Sequence, residues 1–296
     1  MKDRVAVGVL YVAVILGGCA LKAFFPTWGS YFFDVLFTLI AAIGSFEFLR
    51  ACKVQSKVQR LITIGFCSAI VPVYVLTRAL VDNGVLTMFD NAQWVMVIFL
   101  CAGAMALMFA LVFDKMHTTF TETAYCMTCM LYAGMLCAIC SAVNHLTYNS
   151  VPAMFVLTMV VPVTDAFALF AGVLLKNKFP AKLAPHISPN KTVIGSLGGL
   201  AGGVVAAIFA YYVAILLNHT PTFLSGEQIP LWIFLIIGFL TAIASQVGDL
   251  FESAVKRECN IKDMGNILRG HGGMLDRFDS TLFAGMTVFA CFWIFV

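Results

Sequence analysis

The sequence is short of charge: Asp, Glu, Lys and Arg make up 11% of its 296 residues, against about 25% in an ordinary soluble domain. So few ions cannot wet the surface of a chain this long, which excludes a soluble globule. An excess of one sign is missing too. The net charge of +3 is too small and too scattered for the basic stripe of a nucleic-acid binder, and a hydrophobic content of 61% excludes a disordered chain. Also absent are the strict alternation of a transmembrane barrel, a P-loop or dinucleotide fingerprint, and any repeat with a period of about 20 to 50 residues.

What the chain does have is long apolar runs. About 20 apolar residues in a helix cross the roughly 30 Å of bilayer hydrocarbon. Nine such runs occur, at Val5–Phe25, Tyr31–Leu49, Val58–Leu80, Ala92–Phe113, Thr123–Val143, Val151–Leu175, Val193–Leu217, Leu231–Phe251 and Asp279–Val296. They predict an all-α, polytopic integral membrane protein with about nine transmembrane helices. Residues 1–150 hold helices one to five, and residues 151–296 hold helices six to nine, where the polar residues gather. The first run is too long, and lacks the small-residue cleavage site, for a removable signal peptide.

Lys and Arg in short loops stay on the cytoplasmic side. With the N-terminus inside, 16 of the 18 bases fall on that face, and only Lys22 and Arg78 lie outside. The C-terminus is then expected outside. Two further patterns read as packing. Cys126, Cys129, Cys137 and Cys140 form two C-x-x-C pairs inside one apolar run, too close together for a structural zinc site. Gly195, Gly199 and Gly203 repeat the small-xxx-small spacing of closely packed membrane helices.

Charge gathers in one place. Asp249 to Ser280 contains Asp249, Glu252, Glu258, Asp263, Asp276 and Asp279 beside five bases, 11 of the chain's 33 charges in 32 residues. Topology is nearly indifferent to acids, so they ask for another cause. Ser245, Asp249, Glu252, Ser253 and Lys256 recur every three or four residues and share a helix face. Asp276 and Asp279 open the last helix, where the helix dipole favours their charge. Carboxylates hold Mg²⁺ through oxygen, Lys and Arg neutralise phosphates, and Gly270, Gly272 and Gly273 let backbone N–H groups approach an anion. Asp165 adds a carboxylate in the middle of the sixth run, where ionisable groups are costly and functional by default. In the loop after it, Thr192 is placed to cap the next helix.

The stretch Ser253-Ala-Val-Lys256-Arg257, then Lys262-Asp263-Met-Gly265, then Gly270-His271-Gly272-Gly273-Met-Leu-Asp276-Arg277-Phe-Asp279-Ser280 closely resembles the signature of the phosphatidate cytidylyltransferases, or CDP-diglyceride synthetases. Gln246-Val-Gly248-Asp249, Asp165-Ala-Phe-Ala and Ser188-Pro-Asn-Lys191-Thr192 look like the same family. The likeness runs from about Asp165 to Ser280. Two places depart from it: Arg269 stands where the family usually has Pro or a small residue, and Val193-Ile194 where it often has Trp-Glu.

The resemblance implies an enzyme that joins CTP and phosphatidic acid into CDP-diacylglycerol and pyrophosphate with Mg²⁺, as one ion or two, at the cytoplasmic face of the membrane. Asp249 and Asp279 are its expected leading metal ligands, Asp276 a third ligand or a partner behind them, and Asp165 a fourth carboxylate if the sixth helix packs on the eighth. Lys256, Lys262 and Arg277 are expected on phosphates, with His271 protonating pyrophosphate. Ser188, Lys191 and Thr192, with Ser253, Arg257, Asp263, Gly272 and Gly273, are expected to bind substrate. A homodimer is also implied. A CTP-dependent lipid kinase and a cation-coupled transporter are the competing readings; the absence of an internal repeat and the one-sided polar cluster disfavour the transporter.

Overall fold

In hydrocarbon every backbone N–H and C=O must be satisfied inside its own segment, so unbroken apolar runs become helices. The computed structural model describes residues 2–85, 92–114, 118–175, 177–267 and 272–295. All nine runs are helical there: α1 Lys2–Phe24, α2 Pro26–Ala51, α3 Lys57–Asp82, α4 Gln93–Phe113, α5 Phe120–Cys129 continued by a π-helical segment Met130–Met135 and α6 Leu136–Asn144, α7 Ser150–Leu175, α8 Val193–Leu216, α9 Leu231–Glu258 and α10 Leu275–Phe295. Among the described residues seven of these nine are long and apolar enough to cross a membrane. The other two are α1, whose qualifying apolar part is Val12–Phe24, and α10, which opens on Asp276, Arg277 and Asp279. Side-chain caps set three helix starts: Ser56 Oγ accepts the Gln59 N–H, Thr119 Oγ1 the Glu122 N–H, and Thr192 Oγ1 the Gly195 N–H.

Two boundaries differ from the sequence expectation. Helix α9 runs about two turns past Phe251, because its polar residues continue a helix as readily as apolar ones once outside hydrocarbon. Helix α10 starts at Leu275, four residues before the apolar run. The loop after α7 also holds the one sheet among the described residues, a hairpin of β1 Lys182–Ala184 and β2 Ser188–Thr192, antiparallel with Lys182 opposite Thr192 and Ala184 opposite Ser188. Pro180, Pro185 and Pro189 keep this stretch from helix.

Two compact units interleave along the chain. The first comprises residues 1–4, 31–142 and 261–278. Its core is aromatic and sulfur-rich. Phe33, Phe48, Ile70, Tyr74 and Met130 are buried, and Phe66 stacks on Phe99 at 5.0 Å. Cβ atoms at Gly103 or Gly134 would collide with the Phe66 ring, so the two glycines seat it between helices. Cys126, Cys129, Cys137 and Cys140 are buried and form no disulfide, in keeping with packing.

The second unit comprises residues 5–30, 143–260 and 279–296. Helices α7 and α8 touch along a seam in which a Cβ on Gly198 would overlap Ala171 and one on Gly202 would overlap Phe167. Gly203 and Gly238 do the same between α8 and α9, meeting Ala242 and Ala207. Lys22 is buried; its Nζ donates to Ser30 Oγ at 2.5 Å and to the Asn144 carbonyl at 2.8 Å, tying the end of α1 to the start of α2 and the end of α6.

Candidate active site

In the second unit α7, the hairpin, α8 and α9 enclose a cavity of about 500 Å³. Asp165 enters it from α7, Lys182, Asn190, Lys191 and Thr192 from the hairpin, Ser196 from α8, and Gln246 and Asp249 from α9. The Lys191 ammonium is ion-paired with Asp249 Oδ2. Gln246 fastens α9 to α8: its Oε1 accepts from Ser196 Oγ, and its Nε2 donates to the Ser196 carbonyl at 3.1 Å. One wall is apolar. Leu169 and Val173 of α7 line it and are also exposed on that helix.

Asp279 arrives from α10 because Gly248 lets the helices touch; a Cβ on Gly248 would lie 2.6 Å from the Asp279 carbonyl oxygen. The Asp279 side chain is buried, accepts the Ser280 N–H at 2.6 Å and lies within electrostatic reach of Glu252. Glu252 is fully buried and accepts from Lys256 Nζ at 2.7 Å, one turn along α9. Asp249 is within electrostatic reach of both Asp165 and Asp279. Ser253 Oγ lies 3.5 Å from Asp249 Oδ1. Arg257 Nε donates to the Ile187 carbonyl at 3.2 Å and so ties the hairpin turn to α9, while Ser188 opens β2.

The donor chemistry suits a hard divalent cation. Asp165, Asp249 and Asp279 offer only oxygen donors, with Lys191 paired to the second of them. Among the described residues no three His, Cys, Asp or Glu side chains already converge as a preformed metal cage.

The signature loop belongs to the first unit and is organised by two carboxylates. Asp276 Oδ2 accepts the Met264 N–H at 2.9 Å and the Gly273 N–H at 2.7 Å. Glu47 of α2 accepts the Met274 and Leu275 N–H groups at 3.1 and 3.0 Å. Of the three glycines read from sequence as an anion cradle, Gly272 and Gly273 stand beside acids of the chain itself: a Cβ on Gly273 would overlap the Glu47 carboxylate, as would one on Gly265, and a Cβ on Gly272 would overlap Asp276 Oδ2. Gly272 also needs its identity for its backbone, at φ +84°. Lys262, Asp263 and Arg277 are exposed on this segment. His271, with Arg269 and Gly270, lies outside the described residues, as do Lys115 and Lys176 among the topological bases.

A model of the cytidylyltransferase family matches residues 2–295. The chain belongs to the cytidylyltransferase family. It is similar to the phosphatidate cytidylyltransferase of Bacillus subtilis, with 32% identity over 283 residues, covering 96% of this chain and 94% of that protein. The Haemophilus influenzae protein of the same name is 25% identical over 303 residues, covering 100% and 99%. The Staphylococcus haemolyticus one is 35% identical over 173 residues, covering 58% and 60%.

Sequence reasoning placed Asp165, Lys191, Thr192 and Asp249 in this cytidylyltransferase, and the structure gathers those four around one cavity. Thr192 also caps α8 there, its Oγ1 accepting the Gly195 N–H. Lys182 and Ser196 were missed as lining groups and Glu47 as a buried acid; Asn190, Gln246 and Glu252 stood in the stretches singled out from sequence but were given no role there. Glu47 had a readable signal, a carboxylate inside an apolar run. Lys182 and Ser196 had none, since no spacing rule marks them.

Proposed function

We propose that this chain is a phosphatidate cytidylyltransferase, transferring the cytidylyl group of CTP to phosphatidic acid and releasing pyrophosphate. The observation that carries the reading is the cavity that combines Asp165, Asp249 and Lys191 with the apolar wall of Leu169 and Val173, in a chain of this family. An anionic headgroup, a cation and an acyl chain can all be met at one place. An oxygen of the phosphatidate phosphate attacks the α-phosphorus of CTP, and the bond from that phosphorus to the bridging oxygen of the β-phosphate breaks. The attacking oxygen is already ionised, so no strong base is needed. The work is holding two polyanions together in line.

Asp165, Asp249 and Asp279 would hold Mg²⁺, which when bound supplies charge neutralisation at the reacting phosphates. Asp276, committed to two backbone amides, takes the supporting place. Lys191 is set to exchange its Asp249 partner for a phosphate. Lys256 is held beside the acids by Glu252. Phosphate roles for Lys262 and Arg277, and proton donation by His271, rest on the signature motif, as do a homodimer and the contacts of Ser253, Arg257 and Asp263. The charge bias supports nine spans with an inside N-terminus and the site at the cytoplasmic face.

The test is CTP labelled in its α-phosphate, given to the purified protein with Mg²⁺ and phosphatidate in mixed micelles. Label in the lipid phase only when phosphatidate is supplied, with pyrophosphate released, is expected. Release of CDP would make it a lipid kinase, and no product of either kind would overturn the enzymatic reading.

A further inference from the structure

The amides that open a helix have no partner inside it, and the residue that satisfies them normally sits just ahead in sequence. For α10 the acceptor comes from elsewhere: Glu47 lies 228 positions before Leu275, and its two oxygens take the Met274 and Leu275 N–H groups separately. The surroundings are built for that carboxylate. Glu47 is buried at the α10 start, a Cβ on Gly44 one turn earlier would be 3.1 Å from Leu275 Cδ1, and Gly265 and Gly273 both lack the Cβ that would displace it. Burying an acid in a membrane helix is costly without such partners. A chain that needed only a capped helix would reach the same stability with a Ser or Asp at position 274.

We propose that Glu47 is a positioning residue of the transferase. By clamping residues 273–275 from α2, it fixes where Arg277, two residues beyond the capped amides, presents its exposed guanidinium, and where the Met264–Gly265 arm of the signature loop lies. The proposal rests on the signature segment being the one that engages nucleotide phosphates. Asp276 holds the same arm from within, so the loop has two independent anchors, one local and one from α2.

The experiment uses the full chain purified in detergent, with Glu47→Gln, Glu47→Asp and Arg277→Gln, and reads KM for CTP, KM for phosphatidate, kcat and the thermal transition. Losing one charge-assisted acceptor should raise the CTP KM of Glu47→Gln about tenfold, with the phosphatidate KM and the melting transition near wild type. Glu47→Asp, which keeps the charge on a shorter arm, should recover part of that. Wild-type CTP KM and kcat in Glu47→Gln would overturn the proposal, as would losses of activity that merely track the folded fraction. A wild-type CTP KM in Arg277→Gln beside a defective Glu47→Gln would support the clamp and instead overturn the assignment of Arg277 to the nucleotide.

Discussion

Lys191 Nζ is ion-paired with Asp249 Oδ2, and both line the cavity of the second unit. The pair joins the hairpin to α9 and puts an ammonium against the carboxylate that lies within reach of both Asp165 and Asp279. A positive group so placed counts most when phosphate charge is present. Lys191→Met should therefore lower turnover about 100-fold. Lys191→Arg, with the same charge and a different shape, should lose less. Initial rates of label transfer into lipid check both, and wild-type rates in Lys191→Met would remove the residue from the site.

Asp249→Asn and Asp279→Asn each remove one of the acids proposed to hold Mg²⁺ while preserving side-chain volume. Product formation should fall to background in both, with membrane insertion intact by fractionation. Chelation of divalent ions should silence the wild-type protein and added Mg²⁺ restore it. Wild-type turnover by both variants would sink the ligand assignment.

At Gly248 the obstacle is backbone. An added Cβ would face the Asp279 carbonyl oxygen at 2.6 Å and Phe283 Cβ at 3.1 Å, and neither can swing away as the tip of a flexible side chain could. Gly248→Ala should push α10 off α9, costing about 1–3 kcal/mol and separating Asp279 from Asp249. Thermal unfolding in detergent reads the first effect and label transfer the second. A variant with unchanged activity would show that the two acids need not be close.

Orientation is open to a direct check. A tag placed after Val296 should be reached by a membrane-impermeant protease or antibody from outside intact cells, and a tag before Met1 only after permeabilisation. Protection of the C-terminal tag would overturn the nine-span arrangement with the N-terminus inside.

The helices were legible because hydrocarbon demands long apolar runs, which leave a signal that needs no partner to read. Asp249 and Asp165 were legible for the opposite reason: a carboxylate inside such a run is anomalous wherever it lies. The end of α9 was not, since a window that counts apolar residues stops at Phe251 while the hydrogen-bond ladder continues to Glu258. Nor was the hairpin, whose three prolines read as loop. The contact of Gly273 with the Glu47 carboxylate was not legible either, because the two are more than 200 positions apart. Spacing along a chain reveals which residues share a face, and nothing about which distant side chain will fill the space a glycine leaves.

Helix α9 is one uninterrupted rod of 28 residues, about 42 Å at the usual rise, against roughly 30 Å of hydrocarbon. On the proposed reading of α9 as a span that begins at Leu231, its last turns, from Glu252 to Glu258, pass beyond the hydrocarbon to the depth of the lipid phosphates, with Asp249 at the hydrocarbon edge. A phosphatidate molecule can react there without being lifted from its leaflet. On the proposed reading the enzyme samples its lipid in two dimensions, and its rate should follow the mole fraction of phosphatidate in the surface and be indifferent to how much lipid the suspension holds in total.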